Sequence, residues 1–292
     1  MKRTATIGAA AFLAVALAGT TLAAAPVGLG TATSFAVLAG TTITNTGATT
    51  ITGDVGLHPG TSVTGFGTVT LTGVTHYADA VALQAKNDLV TAYNTAAGAT
   101  PATAVATELG GTTLTAGVYS SGTLGLTGTL TLDGAGVFIF QAASTLITAP
   151  NSSVALINGA SACNVYWQVG SSATLGTSTS FKGTIMALTS ITLNDGVTLQ
   201  GRALARNGAV TMIHDTIDSS ACAVPSPAPS SSTQPTPTIP PTPTIPPTDT
   251  VGSTPDSITG PVSAPVLVLL AFGAIAFVGS VRLATVRSRP RD

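Results

Sequence analysis

Between residues 27 and 224, apolar and polar side chains alternate with a period of two, and glycine turns interrupt the alternation over nearly the whole length. Runs such as SFAVLA, TTITNT, TLTLDG, VFIFQA, SVALIN, VYWQVG, TIMALTSITLN and AVTMI follow one another, recurring at a spacing of roughly 18 to 22 residues. A strand-period pattern repeating at that interval marks a coil that lays down three short strands per turn. No turn can bury its own apolar side, so each must stack on the next. The expectation is an all-β domain with one long helix, built as a three-faced β-solenoid.

Aligning the rungs sorts the strands into classes. Residues 35–38, 118–119, 137–140, 165–168, 184–187 and 202–205 form one class, and most are apolar at both parities. Both sides of that face must then be buried, and something must cover it. The one good helix pattern spans residues 79–97, with Ala78, Ala82, Ala85, Leu89, Ala92 and Ala96 at three- and four-residue steps. Asp79 is placed as its N-cap, with Gly98 at C′ and Pro101 beyond. A helix of this length spans about 28 Å, close to six rungs stacked at about 4.8 Å. It is expected to lie along the apolar face.

The second class holds residues 41–46, 122–127, 144–148, 173–176, 190–194 and 209–213. With Ile43, Leu124, Leu146, Leu175, Ile191, Leu193, Val210 and Met212 pointing inward, alternation turns Thr42, Thr44, Thr123, Thr145, Ile147, Thr174, Ser190, Thr192, Thr211 and Ile213 outward. None is charged. Threonine is by itself a good residue for an exposed strand, but an ordinary exposed sheet mixes in Lys and Glu for solubility. Only 7% of this chain is charged. Outward threonines repeat at about 6.7 Å along a strand and about 4.8 Å between rungs. Their methyls and hydroxyls form a lattice able to order water.

The runs SFAVLAGTTITNTG, TGDVGLHPGTSVTGF, LTAGVYSSGTLGLTGTLTLDG, VFIFQAASTL, INGASACNVYWQVGSSATLGTSTSFKGTIMALTSITLNDG and GRALARNGAVT cover nearly all of residues 29–218. In that order they resemble the microbial ice-binding protein family. The resemblance implies a right-handed, three-faced, discontinuous β-solenoid with a long helix beside one face, and adsorption to an ice crystal surface through one flat face. The outward residues expected to make that contact are Thr42, Thr44, Thr123, Thr145, Thr174, Ser190, Thr192 and Thr211. Family members also often carry Thr-Ala/Gly-X-Thr/Asn motifs, matched here by Thr46-Gly-Ala-Thr49, Thr72-Gly-Val-Thr75 and Thr148-Ala-Pro-Asn151, whose spacing makes no continuous ladder. A surface adhesin or envelope module that binds glycan or another solid is the alternative reading.

β-Solenoids also carry carbohydrate-active enzymes, and these need clustered carboxylates or basic groups. The domain has one glutamate, Glu108, in an expected loop, and His58 and His76 stand in loop contexts. The densest polar cluster, holding His214, Asp215 and Asp218, reads as a turn more readily than as a metal site. Arg202 and Arg206 are expected to pair with Asp side chains. No catalytic residue, metal or cofactor is assigned, and a net charge of −1 offers nucleic acid no basic field. Cys163 and Cys222, the only cysteines, are expected to form a disulfide in an exported chain.

Residues 1–25 read as a secretory signal peptide, with Lys2 and Arg3 ahead of an apolar run that ends in Ala23, Ala24 and Ala25. Residues 225–260 are a Pro/Thr/Ser-rich stalk, extended at about 3.1 Å per residue. Residues 262–281 carry no charge and are long enough for a transmembrane helix, and residues 282–292 form a basic tail expected on the cytoplasmic side. The solenoid at 27–224 is accordingly expected outside the cell, anchored in the membrane.

Overall fold

The computed structural model describes residues 24–222. Apart from Ala24 and Ala25, the stretches read as signal peptide, stalk, membrane helix and basic tail lie outside the described residues. Within those residues no helix is long and apolar enough to cross a membrane.

The fold is mostly β with one long helix. One face is a seven-stranded parallel sheet, ordered Leu124–Leu126, Leu146–Thr148, Ala173–Leu175, Ile191–Leu193, Val210–Ile213, Thr42–Thr46 and Ser62–Thr64. The order departs from the chain once. Val210 pairs with Ile43, so the N-terminal rungs stack onto the C-terminal ones. A second sheet of thirteen strands makes the other two faces. Its strands Ser180–Ala187 and Thr198–Ala205 pass from one face to the next through Gly183 and Gly201, both at positive φ. A Cβ on Gly201 would stand 2.0 Å from the Gly183 carbonyl, so only glycine lets the two rungs bend in contact.

The helix runs Ala80–Ala97, and the Asp79 carboxylate caps it by accepting from the Ala82 amide at 2.8 Å. Ala82, Ala85, Leu89, Ala92 and Ala96 are wholly buried. The cluster along this face also takes in Phe35, Leu38, Val118, Ile139, Tyr166, Met186 and Leu204. Alanine at most contact positions lets the helix axis approach the sheet closely. The helix end differs from the expectation. Gly98 has φ −90° and ψ 0°, so it does not use the left-handed conformation of a C′ glycine. From the sheet side, the two protons of Gln141 Nε2 are shared among the carbonyls of Ala96, Ala97 and Ala99 at 2.8, 3.2 and 3.0 Å, which holds the helix end. Buried Lys86 donates to the carbonyls of Ala205 and Arg206. Burial, with the nearby Arg206 charge, brings its ammonium down to about 8.

Inside the coil, the rings of Tyr119, Phe140, Trp167 and Phe181 form a row with centroid separations of 5.5, 4.1 and 4.8 Å. The arginines correct the sequence expectation, since neither pairs with an Asp. Arg202 donates to backbone carbonyls of Thr33 and Cys222. Arg206 lies over the Tyr93 ring at 4.7 Å and reaches Asn94 Oδ1. Both arginines are met by backbone carbonyls, an amide oxygen and an aromatic ring, not by carboxylates.

Cys163 and Cys222 are joined by a disulfide with Cα atoms 5.0 Å apart. It closes a loop of 59 residues and ties the last described residues to the middle of the coil. Residues 24–222 thus hold both apolar clusters, the strand pairings and the disulfide, which makes them a self-contained folding unit. Replacing both cysteines with serine should lower unfolding free energy by about 4 kcal/mol. Denaturant titration of the oxidised and substituted domains checks this; equal midpoints would mean that the bond constrains nothing.

Candidate functional site

On the seven-stranded face, Gly125, Ile147, Thr174, Thr192, Thr211, Thr44 and Thr64 are register partners from rung to rung. Five successive threonines therefore run unbroken from Thr174 to Thr64. Their inward neighbours Leu175, Ile191, Leu193, Val210, Met212 and Ile43 are fully buried, which fixes the threonines outward. Along one side of this column, two residues earlier on each rung, stand Thr123, Thr145, Ser172, Ser190, Ala209, Thr42 and Ser62.

Thr44, Thr174, Thr192 and Thr211, taken from the sequence, thus fall in the central column, while Thr42, Thr123, Thr145 and Ser190 fall in the flanking one. Thr123 and Thr145 flank rungs whose centres are Gly125 and Ile147, so there the hydroxyls stand beside a gap and a protruding apolar side chain; Ile147 is 54% exposed. The Ser190 hydroxyl accepts from the Ala209 amide at 3.1 Å and so also serves as a clip between rungs. Sequence reasoning missed Thr64 and Ser62. The strand Ser62–Thr64 is three residues long and carries a single apolar residue, too little alternation to stand out.

The seven strands contain no Asp, Glu, Lys, Arg or His. The third face is a sharp comparison. There Thr129, Ser153, Ser180, Thr198, Thr216, Thr50 and Thr70 form a hydroxyl column through seven rungs. The column beside it carries Lys182, Gln200 and Asp218 in register. Charged groups hold their own water tightly, so the lattice of the third face is one column wide while that of the seven-stranded face is wider.

A family model described as ice-binding-like matches residues 37–218, most of the solenoid. The chain belongs to the ice-binding-like family. An ice-binding protein from Nostoc sp. strain HG1 is 50% identical over 201 residues, covering 66% of this chain and 74% of its own. Two solved family structures overlay on the described fold. An ice-binding protein from an Antarctic biological consortium is 52% identical with a TM-score of 0.65, covering 66% of this chain and 91% of its own. One from an Arctic yeast is 31% identical with a TM-score of 0.66, covering 70% and 97%.

The Thr-Ala/Gly-X-Thr/Asn motifs shared with the family fall at corners in this member. Thr46 ends one strand and Thr49 begins the next, on the third face; Thr49 is buried and its hydroxyl accepts from the Asp215 amide. Thr148 is buried and pairs with Thr179 while accepting from the Gly176 amide at 2.8 Å. Thr72 and Thr75 flank the turn between Val69–Thr72 and Thr75–Tyr77. At the first two corners the motif hydroxyls staple rungs internally.

The remaining polar residues singled out in the sequence have structural partners. Glu108 bridges to Gly125, and its carboxylate accepts from the amides of Gly110 and Thr127. His76 pairs with Asp79 and His214 with Asp195, each at 2.8 Å, while His58 donates its amide to Ala39. Asp218 accepts from the Ser220 amide. Among the described residues no three His, Cys, Asp or Glu side chains converge as metal ligands would.

Asp215, 1% exposed, accepts from the amides of Val197 and Ile213. Burial pushes its carboxyl up to about 7 against those two donors, and the Asp195 charge adds to the rise. A carboxyl raised on folding binds a proton more tightly in the native state than in the unfolded one. Its stabilising contribution is complete below the unfolded value near 4 and is lost as pH rises through about 7. Melting temperature should therefore decline between those limits, and Asp215→Asn should flatten that decline. A wild-type profile flat from pH 4 to 7 would contradict this assignment.

Proposed function

We propose that this domain adsorbs to ice through the seven-stranded face. The observation that carries the reading is the unbroken threonine column from Thr174 to Thr64 on a face whose strands hold no charge. β-Branched side chains packed at about 4.8 Å intervals on a parallel ladder have little rotamer freedom. Their methyls leave pockets that water fills in a fixed arrangement, and the hydroxyls anchor that water. Because the scaffold is already rigid, little ordering entropy is lost when the layer joins a crystal. Relatives named as ice-binding proteins support this reading. We assign the domain no enzymatic role.

The test is direct. Folded protein of residues 24–222 should shape ice crystals and suppress recrystallisation. Retained fold with no shaping at high concentration would instead favour a surface adhesin that recognises glycan or another solid.

Display at the cell surface is part of the same proposal. It is supported by the apolar stretch at 262–281, the trailing arginines and the Pro-rich stalk. Deleting residues 262–292 should release the domain into the medium; retention in the membrane fraction would refute the anchor.

A further inference from the structure

We propose that a halide ion binds against Arg202 in a cavity near the disulfide. The cavity has a volume of about 250 Å³ and is lined by Val27, Gly28, Tyr166 and both cysteines as well as by Arg202. Arg202 is 2% exposed, yet no carboxylate lies within salt-bridge distance among the described residues. Its acceptors are neutral. Nε donates to the Thr33 carbonyl at 2.9 Å, and Nη2 donates to that carbonyl at 2.7 Å and to the Cys222 carbonyl at 3.1 Å.

Those bonds use the Nε proton and both Nη2 protons, leaving the two protons of Nη1 without an acceptor among the described residues. A buried guanidinium without a counter-charge is costly, and the cavity gives an anion room to supply one. The identity of the anion follows from which edge is free. An oxyanion is held best by the Nε/Nη2 fork, and Thr33 occupies that edge. Nη1 alone suits a single-atom anion. Tyr166 forms part of the same wall.

Native-state binding raises the melting temperature by mass action. The probe is chloride or bromide replaced by gluconate at constant ionic strength, using residues 24–222. Expected is a saturable rise in melting temperature with halide. It should vanish in Arg202→Met, and weaken in Gly28→Leu, which adds bulk at a residue of the cavity wall where an added Cβ meets nothing within 4 Å. If Arg202→Met does not fold, the bromide crystal decides. A crystal grown in bromide should show anomalous density beside Nη1. No halide dependence, or the same dependence in a folded Arg202 variant, overturns the proposal. So does water or protein in place of bromide at Nη1. Because the cavity is remote in chemistry from the threonine face, ice shaping should be the same in chloride and gluconate.

Discussion

Thr192→Tyr should abolish crystal shaping while moving unfolding free energy by no more than about 0.5 kcal/mol, the range of an uncharged surface exchange. Thr192 lies at the second of five threonine rungs, with Thr174 and Thr211 as its immediate partners. Tyrosine suits a strand as well as threonine does. Its ring, however, stands well clear of the neighbouring methyls and lifts the face from any flat lattice. Thr198→Tyr is the matched comparison, because Thr198 belongs to the hydroxyl column beside Lys182, Gln200 and Asp218 on the third face. Activity lost only at Thr198 would move the contact to the third face. Activity kept in both variants would make the threonine column a sheet-stabilising feature and nothing more.

The second large effect lies in the core. Trp167→Ala should cost about 5 kcal/mol, the upper end for an aromatic truncation. Trp167 sits between Phe140 and Phe181 in the row of rings, and its Nε1 donates to the Lys182 carbonyl at 2.9 Å. Truncation removes two ring contacts and a buried donor together, and parallel rungs cannot close around the void without breaking register. Domains of this kind have about 5–15 kcal/mol in total, so the variant should be partly unfolded at ambient temperature. Trp167→Phe keeps the stack and should recover most of the loss. Denaturant midpoints of both variants measure the difference; a shift below about 1 kcal/mol for Trp167→Ala would mean that the core relaxes freely.

The alternation that made residues 191–193 and 210–213 readable as strands also fixed which threonines face outward, and those positions agree with the structure. Burial of both sides of the helix-covered face was legible for the same reason, since 165–169 is apolar at nearly every position and is buried throughout. Rung order was not legible from the strands themselves. Every rung presents the same edge of amides and carbonyls, so nothing in 42–46 says that its partners are 62–64 and 210–213. Thr64 was lost with that strand. The arginine partners were missed because a guanidinium is served as well by two carbonyls as by a carboxylate, and sequence shows only the latter.

The one break in rung order sets when the fold can close. Val37 pairs with Ala203, Thr44 with Thr211 and Thr50 with Thr216, so the N-terminal rungs find their edge only about 166 residues later in the chain. During synthesis the first rungs emerge with nothing to stack on, whereas 113–205 can coil as it appears. Contacts of such separation are slow to form, because loop closure must precede any gain from pairing. The middle coil is then the template, the two N-terminal rungs are its last additions, and Thr44 and Thr64 complete the column only after residues 210–213 have been made.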